Sequence, residues 1–153
     1  MKNLHLLLAI MLFIGCKPNQ KIQPQIKGLT AQNAMVVSAR KEASDIGIAI
    51  LKKGGNAFDA MVATELALAV SFPFAGNLGG GGFMVYREAN GAIGSIDYRE
   101  KAPLSATKNM FLDEKGNVIH GKSTLGAMAI GVPGTVAGVF AVHEKFGSLP
   151  IEA

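Results

Sequence analysis

Four consecutive glycines, Gly79–Gly82, constrain this chain more than any other feature. Glycine opens backbone conformations closed to other residues and lets a second backbone or a ligand come close, at an entropic cost inside any helix or strand. An apolar run, Phe83–Arg87, follows at once and reads as a strand. Asn90-Gly91 then separates it from a second strand-like run, Ala92–Arg99, which is a strong hairpin signal. The return strand ends in a charged cluster, Asp97, Tyr98, Arg99 and Glu100. A guanidinium fixed at a strand end is a fork suited to a carboxylate. On the residues alone, the same stretch is also compatible with a glycine turn, an ordinary hairpin and a surface ion pair. A phosphate loop is a poor fit, because the lysine and the serine or threonine of that motif do not follow the glycines.

The chain begins with Lys2 and an apolar run, Leu4–Ile14, of signal-peptide length and too short for an ordinary membrane span. It ends at Gly15-Cys16, a small residue before the single cysteine of the chain. That order resembles a bacterial lipoprotein signal, in which Cys16 becomes the lipidated first residue of an exported, membrane-anchored protein. Phe13 departs from the leucine usual at its position, and a plain secretory signal is the other reading. The expected organisation is a signal over residues 1–16, a polar proline-containing linker over residues 17–33 and a folded region over residues 34–153. One cysteine excludes an internal disulfide. A net charge of +4, spread without an aromatic-lined basic patch, gives nucleic-acid binding no support. His5, His120 and His143 have no metal-ligand spacing, and no cofactor is expected.

Periodicity places three helices in the folded region. Ala43, Ile46, Gly47, Ile50 and Leu51 share one face of a helix over Lys41–Lys53, stopped by Gly54-Gly55. Asn56 with Asp59 forms a capping-box pattern for a second helix reaching Ser71, apolar nearly all round and expected to lie buried against a sheet. Glu65 is its one mid-helix charge and is expected at an exposed edge, and Phe72 and Phe74 are expected to anchor the exit. A third helix is expected from Thr135 to Phe146, closed by Gly147, and His143 in it reads as structural. Met35–Ala39 is a short strand candidate, with Ser38 a strand serine in preference to a nucleophile.

The segments GIAILKKGGNAFDAMVATELALAVSFP, AGNLGGGGFM, IDYREKAP and GVPGTVAG, in that order, resemble the large-subunit side of the gamma-glutamyltransferase (glutathione hydrolase) family. The likeness runs from about Ala34 to the last residue. It implies an α+β fold, the αββα sandwich of the N-terminal-nucleophile hydrolases, of which this chain is the front portion. It also implies a precursor that cuts itself into a large and a small subunit. The freed N-terminal threonine of the small subunit attacks a gamma-glutamyl amide, as in glutathione, with its own amine as base. Thr30, Thr64, Thr107, Thr124 and Thr135 match no nucleophile position, so the chain itself is expected to hold no catalytic residue and to represent a truncated frame or an incomplete sequence.

One functional residue carries over from the resemblance. The arginine of the family's R-E-x-A-P motif, which pairs with the alpha-carboxylate of the gamma-glutamyl group, falls on Arg99. Glu100 is then a supporting residue that orients Arg99, and Gly79–Gly82 supplies close backbone contact behind the pocket. Two other functions stay open on sequence: a related acylase of the same fold (cephalosporin acylase-like), and a lipid-anchored module without catalysis. Arg99 favours the first reading, since an acylase for side chains without an alpha-carboxylate has less use for that cation.

Overall fold

A computed structural model of the chain describes residues 28–153, so Cys16, the signal region and most of the linker lie outside the described residues. Residues 28–32 belong to a separate N-terminal unit, and residues 33–153 form a unit of their own. Within the latter, α1 spans Lys41–Lys52, α2 Ala57–Ser71, β1 Phe83–Arg87, β2 Ile93–Asp97 and α3 Thr135–Phe146, with one turn of 3-10 helix at Ala127–Ala129. Among the described residues, no helix is long and apolar enough to cross a membrane.

Local chemistry sets most boundaries. At the end of α1, Gly54 takes a φ of 94° and donates to the Leu51 carbonyl, while Gly55 donates to that of Ile50, two hydrogen bonds that close the last turn. At the start of α2, Asn56 Oδ1 accepts the N–H groups of Phe58 and Asp59 at 2.8 and 3.0 Å, and Asp59 Oδ2 accepts the Asn56 N–H at 2.8 Å. The β1–β2 hairpin is antiparallel, pairing Met84 with Ile96 and Tyr86 with Gly94. Its loop is Ala89-Asn90-Gly91, in which Gly91 adopts a φ of 91° and Asn90 Oδ1 accepts the Ala92 N–H.

The core lies where α2, α3 and the inner face of the hairpin meet. Val62, Met84, Val139 and Val142 are buried there, and Phe58, Tyr86, Ile96, Tyr98 and Phe146 close around them. Phe58 stacks on Phe146 at 4.5 Å between ring centroids, and Tyr86 tilts against Phe146 at 4.8 Å. α1 packs on α2 through its smallest residues, Ala43 and Gly47, so that a Cβ on Gly47 would overlap Thr64 Oγ1. Asn56 and Asp59 also fasten the far end of α3: Asn56 Nδ2 donates to the Phe146 carbonyl at 2.7 Å, and Asp59 accepts the Ser148 hydroxyl at 2.6 Å.

Several expectations are corrected. Met35–Ala39 is not a strand; Ser38 Oγ donates to the Arg40 carbonyl at 2.7 Å and shares a hydrogen bond with Ser44 Oγ at the entry to α1. Phe74 is exposed and does not anchor the exit of α2; Phe72 is the half-buried member of the pair, with the Arg40 guanidinium 5.1 Å from its ring centre. α2 is not covered all round: Leu66 and Val70 are exposed. The outer face of the hairpin exposes Phe83, Val85 and Ile93 beside Arg87, Ser95 and Asp97.

Candidate functional site

The hairpin does not stop at its last regular pair. The Tyr98 N–H donates to the Gly82 carbonyl at 3.0 Å, and the Gly82 N–H to the Tyr98 carbonyl at 3.4 Å, so the glycine run continues the ladder to the residue before Arg99. On the other side of Arg99, Lys101 and Val132 exchange both backbone hydrogen bonds, at 3.1 and 2.7 Å. Arg99 is thus an exposed residue of a strand end tied down before and after it. Its own N–H donates to Asp97 Oδ1 at 2.9 Å.

The Arg99 guanidinium is braced by two neighbours. Glu100 Oε2 lies 3.1 Å from Nε, and the Phe83 ring centre lies 5.6 Å from Cζ. The side chain is 57% exposed. A charge held this way keeps its hydrogen-bonding edge accessible to an incoming anion, and the carboxylate on Nε fixes the plane of the fork.

Arg99 borders a cleft of about 500 Å³ between the strand end and α3, within the size range of small-molecule sites. Its walls are Tyr98 to Lys101 on one side and the Val132-Pro133-Gly134 corner with the first turns of α3 on the other. Ala137, Gly138 and Ala141 give that helix face little bulk. The Tyr98 ring sits against Gly138 and Gly82, where a Cβ on either would overlap it. Burial pushes the Tyr98 phenol above its ordinary pKa, and the Glu65 carboxylate raises it further, so the hydroxyl stays neutral. Glu65, expected at an exposed edge of α2, is partly buried. A separate groove of about 330 Å³ between α1, α2 and the Leu149-Pro150-Ile151 segment lies away from Arg99.

The glycine run makes the close approach expected of it: a Cβ on Gly81 would stand 2.7 Å from both the Glu100 nitrogen and the Tyr98 oxygen. The GVPG corner makes a second approach that pattern reading did not place. Gly134 presses on the carbonyls of Tyr98 and Arg99, and Gly131 on Glu100. The signal was present as two separate glycine corners, but nothing in the spacing said that they meet. Of the other residues considered, Thr64 donates to the Ala60 carbonyl and Thr135 is buried at the start of α3. His143 Nε2 lies 2.9 Å from the Leu149 carbonyl oxygen, a structural contact. Among the described residues, no three of His, Cys, Asp and Glu are grouped to hold a metal ion.

Comparison with known proteins adds the context of this geometry. A family model described as gamma-glutamyltranspeptidase matches residues 43–153. The glutathione hydrolase proenzyme of Pseudomonas sp. (strain A14) is 57% identical over 118 residues, which is 77% of this chain and 20% of that protein. The Helicobacter pylori gamma-glutamyltranspeptidase structure superposes with a TM-score of 0.77 at 50% identity, covering 82% of this chain and 36% of that one. The gamma-glutamyltranspeptidase of Pseudomonas nitroreducens, solved in complex with L-DON, gives 0.73 at 50% identity over 78% of this chain and 36% of that one. The chain spans about a fifth of the length of the curated relatives it matches.

Proposed function

The chain belongs to the gamma-glutamyltranspeptidase family, and on that premise we propose that it contributes the gamma-glutamyl-binding strand end of a glutathione hydrolase. Its fold class is α+β, a part of the N-terminal-nucleophile hydrolase sandwich. The observation that carries the proposal is Arg99, an accessible guanidinium braced by Glu100 at the rim of a small-molecule cleft. The alpha-carboxylate distinguishes a gamma-glutamyl group from other acyl groups, and a guanidinium fork recognises it through two parallel charge-assisted hydrogen bonds. With that end of the substrate held, the gamma-amide carbonyl is presented to the nucleophile.

The nucleophile is the N-terminal threonine of a small subunit released from the same precursor. Its amine takes the hydroxyl proton as the oxygen attacks the gamma-carbonyl carbon. The C–N bond then breaks, the proton passes to the departing amine, and an acyl-enzyme remains. Water or an amino acceptor attacks the acyl carbon, releasing glutamate or a gamma-glutamyl product and restoring the threonine. The exposed apolar residues of α2 and of the outer hairpin face, Val70, Val85 and Ile93, support the presence of that partner subunit. Export and anchoring through a lipidated Cys16 complete the proposal, supported by the Lys2, apolar-run, Gly15-Cys16 order.

The test is expression of the full-length precursor carrying these residues, followed by a gel and an assay with a chromogenic gamma-glutamyl anilide. Self-cleavage into two subunits with turnover is expected. A self-cleaved protein that turns over butanoyl anilide, which lacks both the alpha-amino group and the alpha-carboxylate, and leaves the gamma-glutamyl anilide untouched would transfer the assignment to an acylase.

A further inference from the structure

The main chain around Arg99 is closely approached by glycines of two distant loops. A Cβ on Gly81 would stand 2.8 Å from the Arg99 carbonyl carbon. A Cβ on Gly134 would stand 2.8 Å from the Arg99 carbonyl oxygen and would overlap the Tyr98 carbonyl. The two loops also hold each other: the Gly80 carbonyl accepts the N–H groups of Gly134 and Thr135, at 2.8 and 3.1 Å, and so caps α3, which has no side-chain cap. Gly131 completes the corner, since a Cβ there would lie 3.1 Å from Glu100 Cβ. None of Gly81, Gly131 and Gly134 has a positive φ. Their smallness serves close approach, not a left-handed backbone conformation.

We infer that Gly131 and Gly134 are positioning residues for Arg99, holding its main chain and its Glu100 brace so that the guanidinium meets the substrate carboxylate. The inference rests on the assignment of Arg99 made above. Gly134→Ala places its methyl against backbone oxygens, which cannot give way without moving the strand end. Gly131→Ala meets Glu100 Cβ at 3.1 Å, a milder crowding that a shift of Glu100 by a few tenths of an ångström relieves, carrying the Arg99 brace with it. The milder variant is therefore the decisive one.

The experiment uses the full-length, self-cleaved enzyme and a double-mutant cycle. Gly131→Ala is expected to raise KM for a gamma-glutamyl anilide about tenfold, with kcat within about twofold, because small misplacements of a binding group are costly. Turnover of 4-aminobutanoyl anilide, which lacks the alpha-carboxylate, is expected to stay unchanged. In an Arg99→Met background, Gly131→Ala is expected to add nothing, since residues that act through one another are not additive. Gly134→Ala, where it self-cleaves, is expected to show the same pattern with a larger loss. Equal losses on both substrates, or additive effects in the cycle, mean a general structural role and overturn the inference. An unchanged KM for Gly131→Ala beside a raised KM for Arg99→Met overturns it while sparing the Arg99 assignment. An unchanged KM for Arg99→Met removes both.

Discussion

Asp59 and Ser148 are 89 positions apart in sequence and joined at 2.6 Å, carboxylate to hydroxyl. The same carboxylate accepts the Asn56 N–H at 2.8 Å and the Ser148 N–H at 3.0 Å. One buried side chain therefore starts α2 and holds the chain that leaves α3. The cleft beside Arg99 has α3 as a wall, so this fastening acts on the site from its far end.

Stability should depend on pH through Asp59. Burial alone would raise its pKa, but the hydrogen bonds from Ser148, Asn56 and Leu149 outweigh that and hold it below the ordinary carboxylate value. A group depressed in the folded state contributes stability in full above its unfolded pKa of about 3.9 and loses it as pH falls through the lower folded value. Denaturant melts of residues 28–153 should be flat, as far as Asp59 is concerned, from neutral pH to about pH 5 and fall below about pH 4. Asp59→Ala should cost about 1–3 kcal/mol at neutral pH by leaving buried donors unpaired, and should flatten the acid limb. An acid limb identical to that of the wild type would show that other carboxylates carry it.

The α1–α2 contact predicts a compensating pair. Gly47→Ala drives a methyl into Thr64 Oγ1 and should cost roughly 1–3 kcal/mol by overpacking. Adding Thr64→Ala should recover part of that loss, because it removes the obstructing oxygen and leaves Val36 and the Ala60 carbonyl as the remaining neighbours. Thermal melts of the three variants test it; strictly additive losses would mean that the helices meet elsewhere.

These two sites also show where sequence reading succeeds and where it stops. The Asn56–Asp59 capping box, the Gly54-Gly55 stop, the Asn90-Gly91 loop and the limits of α3 were legible because each is decided within a few residues. Asp59's bonds to Ser148 and the meeting of Gly80 with Gly134 were not, because they close long loops and leave no local pattern. Met35–Ala39 has strand composition, but β-propensity is settled by partners, and none pairs with it among the described residues. Glu65 is partly buried where an exposed edge is expected, because α2 is apolar nearly all round and its sequence gives no direction to its faces. Arg99 was found through resemblance; its composition alone fits a surface ion pair equally well.

The outer hairpin face should drive self-association of residues 28–153 expressed alone. Val85 is 84% and Ile93 77% exposed, beside Phe83 on the same face. Sedimentation should show mass rising with protein concentration, and Val85→Lys with Ile93→Lys should shift it towards monomer. A monodisperse monomer without those substitutions would contradict the idea that this face is normally covered.

Cys16 should carry the anchor. Cys16→Ser is expected to move the exported protein from the membrane to the soluble fraction or to leave an unprocessed precursor. Unchanged fractionation with unchanged mass would favour the plain secretory signal.

The most direct test of the account is the kinetics of Arg99→Met in the full-length, self-cleaved enzyme. Losing one partner of a desolvated charge pair costs about 2–5 kcal/mol, so the specificity constant for a gamma-glutamyl anilide should fall roughly a hundredfold or more, at about 1.4 kcal/mol per tenfold. Arg99→Lys should recover only part, since an ammonium cannot form the planar fork. Self-cleavage should persist in both, as it acts on a peptide bond and needs no alpha-carboxylate. A fully processed Arg99→Met enzyme with the wild-type specificity constant would contradict the claim that this strand end binds the substrate.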